Sequence, residues 1–142
     1  MQRFTYPIIL TPDELGGGYV VTCRDLSEVI TQGDTVELAQ EEADGALEDA
    51  IEMRMSDDMD IPQPSPRKKG EHLASLPVGT AMKAALYITM REQGVSKSDL
   101  ARRLGLDEKE ARRMLDPKHG TKVPAIERAL HALGKRVELT VV

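Results

Sequence analysis

Three prolines in five positions, Pro62, Pro64 and Pro66 in "IPQPSPRKKG" (61–70), constrain this chain more than any other feature. A proline has no backbone N–H to donate and biases the residue before it towards extended backbone, so neither a helix nor an interior strand can run through the segment. The chain must break there. Charge breaks at the same place: residues 1–66 hold 3 Lys/Arg against 15 Asp/Glu, net −12, while 67–142 hold 16 against 9, net +7, within a total of −5. The reading is two small domains of opposite sign, 1–61 and 71–142, joined by a Pro-rich linker at 62–70. A short apolar run, "HLASLPV" (71–78 with its flanks), could return to the first domain as a further strand.

The first half reads as a sheet with one helix. "RFTYPIIL" and "GYVVTC" are β-rich runs joined by "TPDELGGG", and "EVIT" is a third short run. Asp34 stands three residues before Glu37, a capping-box spacing, and opens a helical segment to about Met55. Val36, Ala39, Ala43, Leu47 and Ala50 recur at helical spacing and should pack on the sheet. On the other side of this helix Glu37, Glu41, Asp44, Glu48 and Glu52 form an acidic ridge with little cation to answer it, which suits a basic partner or a solvated face.

The second half is helical. Met82, Leu86 and Met90 stripe one segment that stops at Gly94. Ser96 with Asp99, and Asp107 with Glu110, mark two further starts; Pro124 opens a last helix ending at Gly134. "KRVELTVV" alternates as a terminal strand. Leu100, Ala101, Leu104, Gly105, Leu106, Ala111, Met114 and Leu115 fit a helix-turn-helix: a small residue at the crossing, glycine in the turn, apolar residues beneath. Glu108, Lys109, Arg112 and Arg113 remain exposed on its second helix, where Arg pairs with guanine in a major groove, and Lys97, Arg102, Arg103, Lys118 and Lys122 are placed for phosphates. Nearby carboxylates weaken a single copy, so a dimer is expected.

Catalysis is not expected. Asp13, Glu14, Asp25, Glu28 and Asp34 have no spacing that forces convergence on a metal, and His72, His119 and His131 have no ligand pattern. "GGG" at 16–18 joins strands and precedes no helix, and the lone Cys23 sits in an apolar alternation. No cofactor is implied. Without a signal peptide or a long apolar span, a soluble cytoplasmic protein is expected, with no membrane partner.

"YPIILTP" followed by "GGGYVV", "DLSEVITQGDT", "DIPQPSP" and "ALGKRVELTV" together resemble the HicB antitoxins of type II toxin-antitoxin systems, in the branch with a C-terminal helix-turn-helix. Ser27 departs from the pattern where many relatives carry proline. The resemblance implies an α+β chain: an N-terminal ββ(β)α(β) partial ribonuclease-H-like domain that binds a small basic HicA-like ribonuclease, and a C-terminal all-α helix-turn-helix domain with a terminal β-strand that represses its own operon. The acidic ridge of Glu41, Asp44, Glu48 and Glu52 becomes the expected toxin site. Homodimers or higher even oligomers on operator DNA complete the expectation. A ligand-sensing regulator without a toxin is the alternative, and a metal-dependent nuclease a third.

Overall fold

A computed structural model describes all 142 residues and divides them into two compact units, Met1–Pro77 and Val78–Val142. The first is an α+β layer. β1 (Thr5–Pro12), β2 (Tyr19–Thr22), β3 (Ile30–Gly33) and β4 (His72–Ser75) form one antiparallel sheet in the order β3-β2-β1-β4, and α1 (Val36–Ser56) lies between β3 and β4 in sequence. Alternation puts Tyr6, Ile8, Val21, Cys23 and Ala74 on the buried face, where Ala39, Ala43, Leu47, Ala50, Ile51 and Met55 of α1 complete the core.

Backbone meets backbone at one corner of this unit. A Cβ at Gly18, whose φ is +72°, would stand 2.5 Å from the Gly33 carbonyl oxygen, and one at Gly33 would stand 2.3 Å from the Ala39 nitrogen. Only glycine lets β2, β3 and the start of α1 close this tightly. The helix starts one residue later than its sequence suggests: Thr35, not Asp34, is the N-cap, and its hydroxyl accepts from the Leu38 N–H at 3.1 Å. The glycine contact fixes the entry of the chain and brings Thr35 to the capping position.

The proline segment is not a free linker. Pro62 O accepts from the Tyr6 hydroxyl at 2.6 Å, Ser65 gives its N–H and hydroxyl to Asp25 at 2.8 and 2.5 Å, and Pro66 O accepts from Arg24 at 2.6 Å. Arg24 also grips Glu71 through Nε and Nη2, at 3.0 and 3.1 Å. Extended proline-rich backbone leaves its carbonyls free, and here Tyr6 of β1 and Arg24, two residues past β2, donate to two of them. The topology depends on this strap. Because β3 runs parallel to β1 and α1 returns the chain, a strand directly after α1 would run parallel to β1. Residues 57–71 make one more traverse, so β4 enters antiparallel, Thr5 opposite Ser75 and Ile8 opposite His72. The boundary therefore falls after Pro77, and Arg67, Lys68 and Lys69 belong to the first unit, leaving it with 6 Lys/Arg against 16 Asp/Glu and the second with 13 against 8.

The second unit is all-α: α2 (Val78–Gln93), α3 (Lys97–Leu104), α4 (Glu108–Leu115) and α5 (Val123–Ala132). Both capping boxes form, Ser96 with Asp99 and Asp107 with Glu110. Residues 135–142 form no strand within the chain and lie mostly exposed, Leu139 at 74% and Val141 at 87%. The expected terminal strand has no sheet edge in its own unit to pair with.

Candidate functional site

The charged surface of the second unit is built by its local caps. α3 ends at Gly105, whose φ of +66° and ψ of +31° are the left-handed values that reverse the chain; Gly105 N–H returns to the carbonyls of Ala101 and Arg102, and α4 starts at the Asp107 cap. Ala101 and Ala111 are both buried and small, which allows the two helices to approach closely. Leu100, Met114 and Leu115 are buried with them, whereas Leu104 and Leu106 are only half-buried. With one side of α4 committed to the core, Glu108, Lys109, Arg112 and Arg113 all stand in solvent, as do Lys97, Arg102, Arg103, Lys118 and Lys122.

These nine residues are not equally free. Arg102 is paired with Asp99 one turn earlier, and Glu108 accepts from the Ser98 hydroxyl at 2.6 Å. That bond ties a carboxylate of α4 to α3. Hydrogen bonds from the Ser96 N–H and hydroxyl hold the Asp99 carboxyl below its ordinary value. Lys118 follows α4 on a turn in which its N–H reaches Asp116 Oδ1 at 2.9 Å, His119 N–H reaches Asp116 O at 3.1 Å, and Lys122 caps the start of α5.

Sequence reasoning passed over Lys83. It lies on α2, only 4% exposed, and its Nζ donates to Arg113 O at 3.1 Å, to Asp116 O at 2.6 Å and to His119 O. A signal existed: Lys83 stands three and seven residues before Leu86 and Met90, on the apolar stripe itself. Burial pushes its pKa down, against a smaller upward pull from Asp116.

The acidic ridge of α1 is less uniform than its spacing promises. Glu37 and Glu41 are exposed, but Asp44, Glu48 and Glu52 are half-buried. Ile51 and Met55, buried beside the expected apolar positions, widen the buried stripe towards the ridge. Asp44 Oδ1 accepts from the Ser75 N–H at 3.0 Å while Gln40 Nε2 donates to Leu73 O at 2.5 Å, so α1 covers the outer edge of β4 with side chains. Glu42 and Asp49 are the further exposed carboxylates of this helix.

The remaining carboxylates are spread over separate structural tasks. Asp13 Oδ1 accepts from the N–H groups of Leu15 and Gly16 in the first turn, and Asp25 holds Ser65. Glu28 pairs with Arg54 at 2.6 and 2.7 Å, which lowers its pKa, and also accepts from the hydroxyl of Ser27. No three His, Cys, Asp or Glu side chains lie close enough to hold a metal ion. No helix is long and apolar enough to cross a membrane.

The profile of the HicB-like antitoxins of bacterial toxin-antitoxin systems matches residues 5–85, the whole sheet with α1 and the strap. The chain belongs to the HicB antitoxin family. Antitoxin HicB of Escherichia coli K12 is 37% identical over 137 residues, covering 96% of this chain and 99% of the relative. Antitoxin HicB 2 of Photorhabdus laumondii is 38% identical over 141 residues, 99% of each, and Antitoxin HicB of Pseudomonas fluorescens 36% over 126 residues, 88% of this chain and 86% of the relative. The HicB likeness thus extends through both units, including α3, α4 and the exposed tail.

Proposed function

We propose that this HicB antitoxin neutralises a small basic HicA-like ribonuclease by occupying its RNA-binding surface, and that it represses its own operon through the second unit. The observation that carries the DNA reading is the division of α4. Ala111, Met114 and Leu115 are buried while Lys109, Arg112 and Arg113 face water, the pattern of a recognition helix in a helix-turn-helix. Arg112 and Arg113 read base edges, and Lys97, Arg103, Lys118 and Lys122 meet phosphates. Arg102 would first exchange its Asp99 partner for a phosphate.

The first unit, net −10 over Met1–Pro77, is the toxin-binding unit in this reading, and its βββαβ order supports taking it as a partial ribonuclease-H-like domain that acts by binding. Glu37, Glu41, Glu48 and Glu52 of α1 lead the docking surface, with Asp44 committed to β4. Opposite charges speed the encounter with a basic partner more than they deepen the complex. The unpaired tail, Arg136–Val142, pairs with its copy in a second chain, which gives the two half-site contacts that operator binding needs.

The test measures binding of the intact protein to DNA from its own promoter region and to the small basic protein encoded beside it. Arg112→Ala should lose about 1–3 kcal/mol on the correct operator and relax base preference, leaving toxin capture unchanged. Glu41→Lys with Glu48→Lys should do the reverse, slowing toxin association at low salt. Salt-insensitive DNA binding, or none, refutes the repressor role; unchanged toxin association in the charge-reversed protein moves the docking site off α1.

A further inference from the structure

Burying an ammonium among apolar side chains is costly unless its protons find acceptors. Lys83 meets that condition in full, since an ammonium has three N–H donors and here three backbone carbonyls receive them. The acceptors are not scattered. Arg113 O belongs to the last turn of α4, where it has only a 3.3 Å bond from the Asp116 N–H that Arg112 O shares, and Asp116 O and His119 O open and close the turn that follows. A cation there also opposes the negative end of the helix dipole. Thr121 adds a longer contact, its hydroxyl 3.4 Å from Arg113 O. The turn so held is short and basic: Lys118 and His119 are exposed on it, and it ends at Lys122.

We propose that Lys83 is a positioning residue for nucleic-acid binding: from inside the bundle it fixes the Asp116–Lys122 turn so that Lys118 and Lys122 meet the phosphates beside the groove that α4 enters. This rests on the DNA reading above. It assigns Lys83 no contact with DNA and no part in base choice. Removing the ammonium frees the turn but leaves the α3–α4 crossing of Ala101 and Ala111 in place, so the lost contacts are to phosphates only.

Four full-length proteins test it: wild type, Lys83→Met, Lys118→Ala/Lys122→Ala, and the combination of all three changes. Each phosphate contact contributes about 0.9 to the slope of log affinity against log salt, or about fivefold in affinity at about 0.15 M salt. Lys83→Met should therefore lose up to two such contacts, weakening operator and random-sequence DNA by the same factor and keeping their ratio. The double variant should show the same shallower slope, and the triple variant should fall no further. Amide exchange should quicken at Lys118 and His119 in Lys83→Met while the amides of α3 keep their protection. A wild-type slope in Lys83→Met, or a changed operator-to-random ratio, overturns the proposal. If Lys83→Met does not fold, the double variant decides: both side chains are exposed, and an unchanged slope there overturns it equally. Absence of DNA binding by the wild type refutes the repressor reading instead, and exchange at the turn then decides alone whether Lys83 orders it.

Discussion

Tyr6→Phe tests whether the proline segment is a strap or a linker. The Tyr6 ring is fully buried in the first unit and its hydroxyl donates to Pro62 O at 2.6 Å. Burial pushes the phenol's pKa up, with a further push from Asp25, so the donor stays protonated at all ordinary pH. Phenylalanine keeps the ring in place and deletes one neutral hydrogen bond, leaving the Pro62 carbonyl without its partner. The net cost of such a loss is about 0.5–1.5 kcal/mol. If opening of the strap is fast relative to cleavage, that energy raises the open population about two- to twelvefold. The chain carries its own reporter, because Arg67, Lys68 and Lys69 offer trypsin three sites beside the tied segment. Cleavage there should be slow in the wild type and faster by that factor in Tyr6→Phe, with a melting point a few degrees lower. A wild-type protein cut between 67 and 70 as fast as an unstructured peptide, with no change on substitution, would refute the strap.

Gly45 is an exposed glycine inside α1 with nothing within 4 Å of an added Cβ, so Gly45→Ala should stabilise the first unit by about 1 kcal/mol in denaturant titration. Gly33→Ala should do the opposite, by about 1–3 kcal/mol, because its Cβ would press on the backbone of α1. Arg24 and the Lys68 N–H hold the Glu71 carboxyl down to about 2, and Arg54 lowers that of Glu28 from 4.5. The unfolded chain then takes up protons more readily than the folded one, so this stabilisation is complete above about pH 4.5 and is lost as pH falls towards 2; acid unfolding followed by circular dichroism should be shallower in Glu71→Gln. Deleting residues 136–142 should yield monomers in sedimentation that no longer bind operator, and a truncated protein that stays dimeric would exclude tail pairing.

Local chemistry was legible. The capping boxes at Ser96 and Asp107 and the left-handed Gly105 are each settled within four residues of sequence, so spacing was enough to place α3, the turn and α4. The same reasoning slipped by one residue at Asp34, where a contact between Gly18, Gly33 and Ala39 fixes how α1 begins. Exposure of Arg112 and Arg113 could be read from periodicity, since the apolar positions of α4 leave them no other side.

Partners distant in sequence could not be read this way. Composition marks 62–70 as a linker because prolines forbid regular structure, but only the folded unit brings Tyr6 and Arg24 to donate to its carbonyls and Asp25 to accept from Ser65, across 40 to 56 residues. Asp44 looked like one more ridge carboxylate until β4 came beside α1 with a free N–H. Lys83 drew no reading from sequence, because its three acceptor carbonyls lie 30 to 36 residues away. Sequence determined the helices and the strands of the first unit, and which half is acidic, because those follow from each residue and its near neighbours; it did not settle the alternating tail at 135–142, which forms no strand because a strand needs a partner edge. Tertiary structure decided which charges are free to meet a partner, because a carboxylate or an ammonium is spent or spare only once the backbone groups that can satisfy it have been brought within hydrogen-bond reach.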